Sequence, residues 1–367
     1  MGTQARGAVV AEAGADFEIR DVTIDDPGPN EVLVKIVATG LCHTDLAVKD
    51  GDLPTNFPAV LGHEGAGEVL AVGDAVQGIA KGDKVVLSYG SCGHCRPCQE
   101  GDPAYCADFN PLNFMNERQG SDRSVFEDGP NAAFFQQSSF ATHAIAHERN
   151  VVKIESDTDI SLLGPLGCGI QTGAGAVLRT AQVPAGSAVA VSGCGSVGMA
   201  ALMAAKVAGA SVIIAIDPNT DRLKTAEELG ATDTIAVGDD TDVAEAVRKI
   251  VPAGVDYVIE CSGNAAAARD GWSALANRGT LVVVGAPPQG TDYSFDANEH
   301  ILSGRKIVRC VEGDSKVKQF IPQLVDLFEQ GRFPFDKLTK RYKFDEINKA
   351  VADLADGTVF KPIIEMG

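Results

Sequence analysis

Four cysteines, Cys92, Cys95, Cys98 and Cys106, fall within the fifteen residues C-G-H-C-R-P-C-Q-E-G-D-P-A-Y-C. Four thiolates at this spacing can wrap one tetrahedral ion, and an all-sulfur shell with no open position is the pattern of a structural zinc. The surrounding stretch is polar and irregular, so metal binding would supply the order that secondary structure does not. Two rivals use similar residues. A bacterial iron–sulfur run needs a fourth cysteine three residues on and then proline, which this loop lacks. A nucleic-acid zinc ribbon wants basic surroundings, whereas this chain is acidic. Structural zinc is the expectation. His94 reads as a surface residue, because the four sulfurs already complete the shell.

A second pattern runs from Ser187 to Asp217. Ala188 to Val191 reads as a buried parallel strand. Gly193, Gly195 and Gly198 follow at G-x-G-x-x-G spacing. Val197 to Ala208 has good helix propensity and ends at Gly209, a C-cap signal. A strand from Ser211 to Ile216 then ends in Asp217. The glycines permit a tight turn, close approach of a pyrophosphate, and close helix–strand packing. The helix N-terminus offers N–H groups and positive potential to phosphates. In a chain with 40 glycines the spacing alone says little. The order strand, turn, helix, strand, acid is what sets it apart from an ordinary glycine-rich turn.

The elements that must position these groups suggest two domains, as 367 residues would predict. Residues 1–90 read as short strands separated by Gly, Pro and Asp turns, a β-barrel-like arrangement. The strand candidates are Arg6–Ala11, Phe17–Val22, Glu31–Ala38, Gly67–Val72 and Lys84–Tyr89. Residues 92–140 form a long irregular stretch, and such a loop usually serves a function or binds something. Residues 160–180 look helical. From Ser187 to about Val311 strands alternate with helices. The six strands expected there are Ala188–Val191, Val212–Ile216, Thr234–Ala236, Tyr257–Glu260, Thr280–Val284 and Lys306–Arg309, enough for a doubly wound sheet. Phe320–Glu329 and Phe344–Leu354 read as helices, and Lys361–Glu365 as a strand. No internal repeat or low-complexity segment is visible.

Net charge is -19, which argues against nucleic acid and anionic membranes as partners. No secretory leader or membrane-spanning run is evident, so a cytoplasmic location is expected. Nine cysteines would there be mostly reduced, favouring metal over disulfides.

Three separated fragments carry further ligand types: G-L-C-H-T-D with Cys42, L-G-H-E-G-A-G-E-V with His63, and L-G-C-G-I-Q-T-G with Cys168. Each alone would more often be a packed core residue. Together, in this order with the four-cysteine loop and the glycine turn, they resemble the zinc-dependent medium-chain alcohol dehydrogenases, with a nearest likeness to the aryl (benzyl) alcohol branch. The match covers nearly the whole chain.

The resemblance implies an α/β fold: a Rossmann doubly wound parallel sheet plus a β-rich GroES-like catalytic domain. The implied domains are 1–170, catalytic, with the structural zinc loop at 92–106; 171–312, NAD-binding; and 313–367, returning to the catalytic domain. It implies two zincs per chain, the catalytic one held by Cys42, His63 and Cys168 with a position open for substrate. Glu64 would be a nearby or transient ligand, and Asp45 would orient His63 through its other ring nitrogen. Thr44 would hydrogen-bond the alcohol oxygen and start a proton relay. Many relatives continue that relay with a histidine where this chain has Ala47. His43 and, late in the chain, Lys361 would meet the cofactor pyrophosphate. Thr172 and Val197 would lie behind the nicotinamide, and Arg222 near the adenosine ribose. Asp217 would bind the ribose hydroxyls and repel a 2′-phosphate, favouring NAD over NADP. Phe134 and Phe135 would line an apolar slot for aryl or allylic alcohols. Packing or a subunit contact explains the pair about as well. The implied reaction is reversible oxidation of a primary alcohol to its aldehyde by hydride transfer to NAD, in a homo-oligomer with a dimer slightly favoured over a tetramer. Alternatives are a glutathione-linked formaldehyde dehydrogenase, a polyol dehydrogenase, and a non-catalytic NAD- and zinc-binding sensor. A zinc-free quinone reductase is disfavoured by both cysteine sets.

Overall fold

The computed structural model describes residues 2–121, 124–127 and 129–367. The chain divides into two compact units. One comprises Met1–Cys168, Lys316–Glu329 and Asp336–Gly367; the other comprises Gly169–Ser315 and Gln330–Phe335. The architecture is the expected α/β class, with a β-rich unit and a doubly wound parallel sheet.

The first unit is built around the strand Glu31–Gly40, whose sequence E-V-L-V-K-I-V-A-T-G is almost wholly buried. Branched residues at nearly every position suit a strand covered on both faces. It pairs antiparallel with Gly65–Val72, with His143–His147 and, at its C-terminal end, with Lys361–Glu365, where Ile363 lies opposite Gly40. The last strand of the chain is thereby laid beside the residues that lead into Cys42. Strand Thr3–Val10 pairs with Glu18–Ile24 and Ala59–Val60 in a separate sheet.

The long loop is less irregular than its sequence suggests. Arg96–Glu100 and Phe109–Phe114 are short helices. Side chains tie the rest down: Arg118 donates to Glu31 and to Asp25, all three nearly buried, and Gln136 donates to the carbonyls of Leu112 and Glu117. Such bonds run between residues far apart in sequence, so no local pattern announces them.

In the second unit six parallel strands lie in the order Asp233–Ala236, Val212–Asp217, Ala188–Ser192, Val255–Glu260, Leu275–Val283, Lys306–Arg309. The chain reverses its direction of travel at Ala188–Ser192, the position where such sheets bind ligands beyond their C-terminal ends. Leu275–Val283 begins five residues before the expected Thr280. Its first half, L-A-N-R-G, carries Arg278 at positive φ and hides the strand pattern. Helix Ser196–Ala208 is buried along most of its length. Among the described residues no single helix is long and apolar enough to cross a membrane.

Candidate active site and metal centres

Helix His43–Asp50 was not foreseen from sequence, and it places the first ligand. Cys42 is its N-cap. Asp45, in the first turn, accepts the Cys42 N–H through Oδ2 at 3.0 Å. Its Oδ1 accepts the Gly62 N–H at 3.1 Å and lies 2.9 Å from His63 Nδ1. One fully buried carboxylate thus fixes two ligand-bearing segments. The expected partnership of Asp45 with His63 is present in the geometry.

His63 is buried, and among the described residues its Nε2 has no hydrogen-bond partner. A ring nitrogen of His63, the Cys42 and Cys168 sulfurs and a Glu64 carboxylate oxygen all lie within 4.8 Å of one another. Zinc–sulfur bonds of about 2.3 Å put tetrahedral ligands roughly 3.8 Å apart, so the cluster suits a metal. The Cys168 side chain, hydrogen-bonded to Cys42, holds the Cys42 thiol well below its usual range despite burial, and the charges of Lys361 and His63 act the same way. An isolated buried imidazole nitrogen is costly, and an ion accounts for it. Sequence fragments far apart in the chain, at 42, 63 and 168, are brought together as expected.

Thr44 follows Cys42 on the helix, its Oγ1 3.9 Å from the Cys42 sulfur. His43 is exposed on the first turn. Glu64 is fully buried and engaged by Lys361, whose Nζ lies 2.8 and 3.1 Å from its two carboxylate oxygens and 3.3 Å from the Leu41 carbonyl. Lys361, expected at the cofactor pyrophosphate, is thus engaged with Glu64 and Leu41 in this structure. It is 1% exposed and its ammonium is committed within its own unit. Burial alone would lower its pKa, but Glu64 and the two cysteines outweigh burial and hold the cation charged.

Phe134 and Phe135 are 0% and 3% exposed, so they are walls rather than rims. The Phe135 ring stacks on His63 at 4.5 Å and Phe134 meets it edge-on at 5.6 Å. Phe114 packs on both. Sequence reading missed Gln137, which donates to the carbonyls of His63 and Ser88 and accepts the Gly65 N–H. Its place two residues after Phe135 was the only available hint.

The four-cysteine loop also closes on itself. The ligand atoms of Cys92, Cys95, Cys98 and Cys106 lie within 4.8 Å of one another, with Cys95 and Cys106 sulfurs 4.0 Å apart. Backbone N–H groups of Cys92, Cys95 and Ala107 donate to sulfurs at 3.2, 3.3 and 3.4 Å. These donors suit thiolates. The Ala107 N–H brings the Cys95 thiol down to about 6, while burial pushes Cys106 up to about 12. Four sulfurs this close cannot all ionise without a cation between them. His94 is exposed, as read, with Nδ1 3.0 Å from the Cys92 carbonyl.

In the second unit Gly193 has φ of 87°, which only glycine adopts readily, and a Cβ on Gly198 would lie 1.9 Å from the Gly193 carbonyl oxygen. Gly195 caps helix Ser196–Ala208, with Val197 half-buried in its first turn. Asp217 ends strand Val212–Asp217, 3% exposed. Its oxygens accept the Cys194 N–H at 2.7 Å and the Asn219 N–H at 2.8 Å. It therefore holds the glycine turn. Arg222 follows on helix Thr220–Leu229, and among the described residues its buried Nε has no hydrogen-bond partner. Thr172 lies half-buried on helix Gly169–Gly175.

Comparison with known proteins agrees with this arrangement. Residues 28–156 match the alcohol dehydrogenase GroES-like domain and residues 196–330 the zinc-binding dehydrogenase domain. Geraniol dehydrogenase of Castellaniella defragrans is 37% identical over 98% of this chain and 97% of its own. The crystal structure of benzyl alcohol dehydrogenase from Acinetobacter calcoaceticus is 47% identical, with a TM-score of 0.96 over 100% of both chains. That of an alcohol dehydrogenase zinc-binding domain protein from Burkholderia ambifaria is 49% identical, with a TM-score of 0.97 over 100% of both. Matched by both domains and by relatives along its whole length, the chain belongs to the zinc-binding medium-chain alcohol dehydrogenase family.

Proposed function

We propose that this alcohol dehydrogenase oxidises an aryl or allylic primary alcohol reversibly to its aldehyde, with NAD as hydride acceptor. The observation that carries the reading is the approach of the Cys42 and Cys168 sulfurs to the unpartnered Nε2 of His63, with Asp45 fixing the far side of the imidazole. A zinc held there would supply Lewis acidity toward an alcohol oxygen, and a bound NAD would supply the hydride acceptor.

The chain's own residues supply the rest. Cys42, His63 and Cys168 would hold a zinc with three protein ligands and leave room for a substrate oxygen, whereas Cys92, Cys95, Cys98 and Cys106 would enclose the second zinc with four, ordering their loop. Thr44 Oγ1 would accept a hydrogen bond from the alcohol hydroxyl and, as it takes that proton, give up its own toward the cofactor ribose. Ala47, on the same helix, carries no atom to take it further. His43 meets the cofactor phosphates and Thr172, Val197 and Arg222 its other parts. Asp217 selects NAD by accepting ribose hydroxyls and repelling a 2′-phosphate. Phe134 and Phe135 favour an unsaturated group beside the reacting carbon. Geraniol and benzyl alcohol, in the names of two relatives, are both primary alcohols of that kind. We also propose a homodimer, with the strand Lys306–Arg309, at the end of its sheet, as the pairing face.

A steady-state screen of benzyl, cinnamyl, allylic and short alkyl alcohols with NAD and NADP tests this. Higher kcat/KM for benzyl or allylic alcohols with NAD is expected. Ethanol surpassing benzyl alcohol, or NADP matching NAD, overturns the substrate or cofactor assignment.

A further inference from the structure

Phe135 reaches the His63 imidazole from a backbone that its residue type disfavours. Phe135, Gln136 and Ser138 have φ of 50°, 53° and 46°, in the left-handed region that residues with a Cβ seldom enter. The stretch A-F-F-Q-Q-S-S-F contains no glycine to relieve them. Such a cluster persists only where its surroundings over-determine it, and it marks a place where side chains have to be aimed.

A buried amide supplies the restraint. Gln137 is 1% exposed. Its Nε2 donates to the carbonyls of His63 and Ser88 at 3.0 Å each, and its Oε1 accepts the Gly65 N–H at 3.0 Å. One side chain thus grips the segment 63–65 from both ends. The approach needs the glycine: a Cβ on Gly65 would lie 2.7 Å from Ser139 Cβ and 3.1 Å from Gln137 Oε1. Ser88 extends the link. Its hydroxyl donates at 2.6 Å to the carbonyl of Gly167, the residue before Cys168. Its carbonyl also accepts Asn150 Nδ2 at 3.2 Å, and the same Nδ2 donates to the Gln136 carbonyl at 3.3 Å. The bent segment that carries Phe134 and Phe135 is therefore bonded to the backbone beside two of the three expected ligands. The 4.5 Å stack of Phe135 on His63 is held in that frame.

We infer that Gln137 is a positioning residue for substrate choice, which fixes the Phe135 ring against His63 and so sets the aromatic wall met by an aryl or allylic group. The inference rests on the substrate reading above. Gln137 touches neither substrate nor metal; it acts through Phe135. A short alkyl alcohol has no unsaturated group to lay on that wall, so its turnover depends less on where the ring sits.

The test uses the full-length zinc-loaded enzyme and the variants Gln137→Met, Phe135→Leu and their combination. Methionine matches glutamine in length and offers none of its three bonds. kcat and KM are measured for benzyl alcohol and 1-propanol with NAD. The affinity of the NADH complex for benzyl alcohol is measured by calorimetry, since alcohol and NADH are both reduced and do not react. In Gln137→Met we expect the benzyl-to-propanol ratio of kcat/KM to fall about tenfold, through the benzyl alcohol KM rather than kcat, with a matching loss of calorimetric affinity. In the Phe135→Leu background the same substitution should change the ratio little, because the ring it aims is gone. A merely structural role would lower turnover of both alcohols alike. An unchanged ratio in Gln137→Met overturns the inference, and so does an equal fall with and without Phe135. If Gln137→Met does not fold, Gln137→Asn, an amide too short to reach all three partners, decides by the same ratio. Wild-type enzyme that itself prefers 1-propanol refutes the substrate reading, a result seen before any variant is made.

Discussion

Asp45 Oδ1 lies 2.9 Å from His63 Nδ1, while Oδ2 of the same carboxylate holds the backbone N–H of Cys42. The residue bonds to two ligand-bearing segments and to no metal. Asp45→Ala is expected to weaken zinc affinity at this site about 10–100-fold, because the imidazole loses its fixed tautomer and the helix its cap. Competition with a chromogenic chelator measures it. Unchanged affinity would show that the ring is held by packing against Phe134 and Phe135 alone.

The two cysteine sets should differ in what their metals support. Wild-type protein is expected to carry about two zincs per chain. Cys42→Ser should lose one with little change in melting temperature, whereas Cys98→Ser should lose the other and lower Tm, since the loop 92–106 depends on its ion for order. Metal analysis by mass spectrometry beside thermal melts separates these outcomes. Equal Tm losses from both would mean that neither site is purely catalytic.

Asp217 accepts backbone N–H groups from Cys194 and Asn219, so it helps hold the glycine turn. Asp217→Ala should weaken NADH binding about 10–100-fold, as expected for losing charge-assisted hydrogen bonds. NADPH should not gain by the same factor, because the turn that seats the pyrophosphate loosens for both. Fluorescence titration with each cofactor reads the ratio. If the variant binds NADPH as tightly as wild type binds NADH, the turn does not need the carboxylate.

His147 should make folding stability depend on pH. It is 7% exposed, and its Nδ1 accepts the Arg149 N–H at 3.2 Å, a bond the protonated ring cannot make. Burial and the Arg149 charge bring its pKa down to about 4, against an ordinary value near 6.5. The unfolded chain therefore takes up the proton first as pH falls. The stability this group contributes is fully present above pH 6.5 and is lost as pH falls toward 4. The expected loss is about 1–2 kcal/mol between pH 7 and pH 5. His147→Asn keeps an acceptor without a titrating group, so the difference between its urea-unfolding free energy and that of wild type should shrink by this amount over that range. A pH-independent difference refutes it.

Much of this was legible in the sequence because the informative signals were local. The glycine spacing before Asp217 located the parallel sheet, and the four cysteines within one loop implied their own closure. The short helix His43–Asp50 was not legible, because its stability comes from Asp45 binding across to Gly62 and His63 rather than from propensity. The pairing of Lys361 with Glu64 was not legible for a related reason. A basic residue near a chain terminus reads as exposed. Only the pairing of its strand with Glu31–Gly40 turns it toward Glu64. Gln137 was hinted at only by its place near Phe135, since its three bonds reach residues 49 to 74 positions away.

Engineers who harden enzymes often replace glycines within strands by alanine, since the unfolded chain loses freedom and the strand gains a side chain. At residue 40 that rule inverts. One methyl group there would lie 1.9 Å from Glu64 Oε2, so the substitution would undo its own gain by displacing a fully buried carboxylate and the lysine bonded to it.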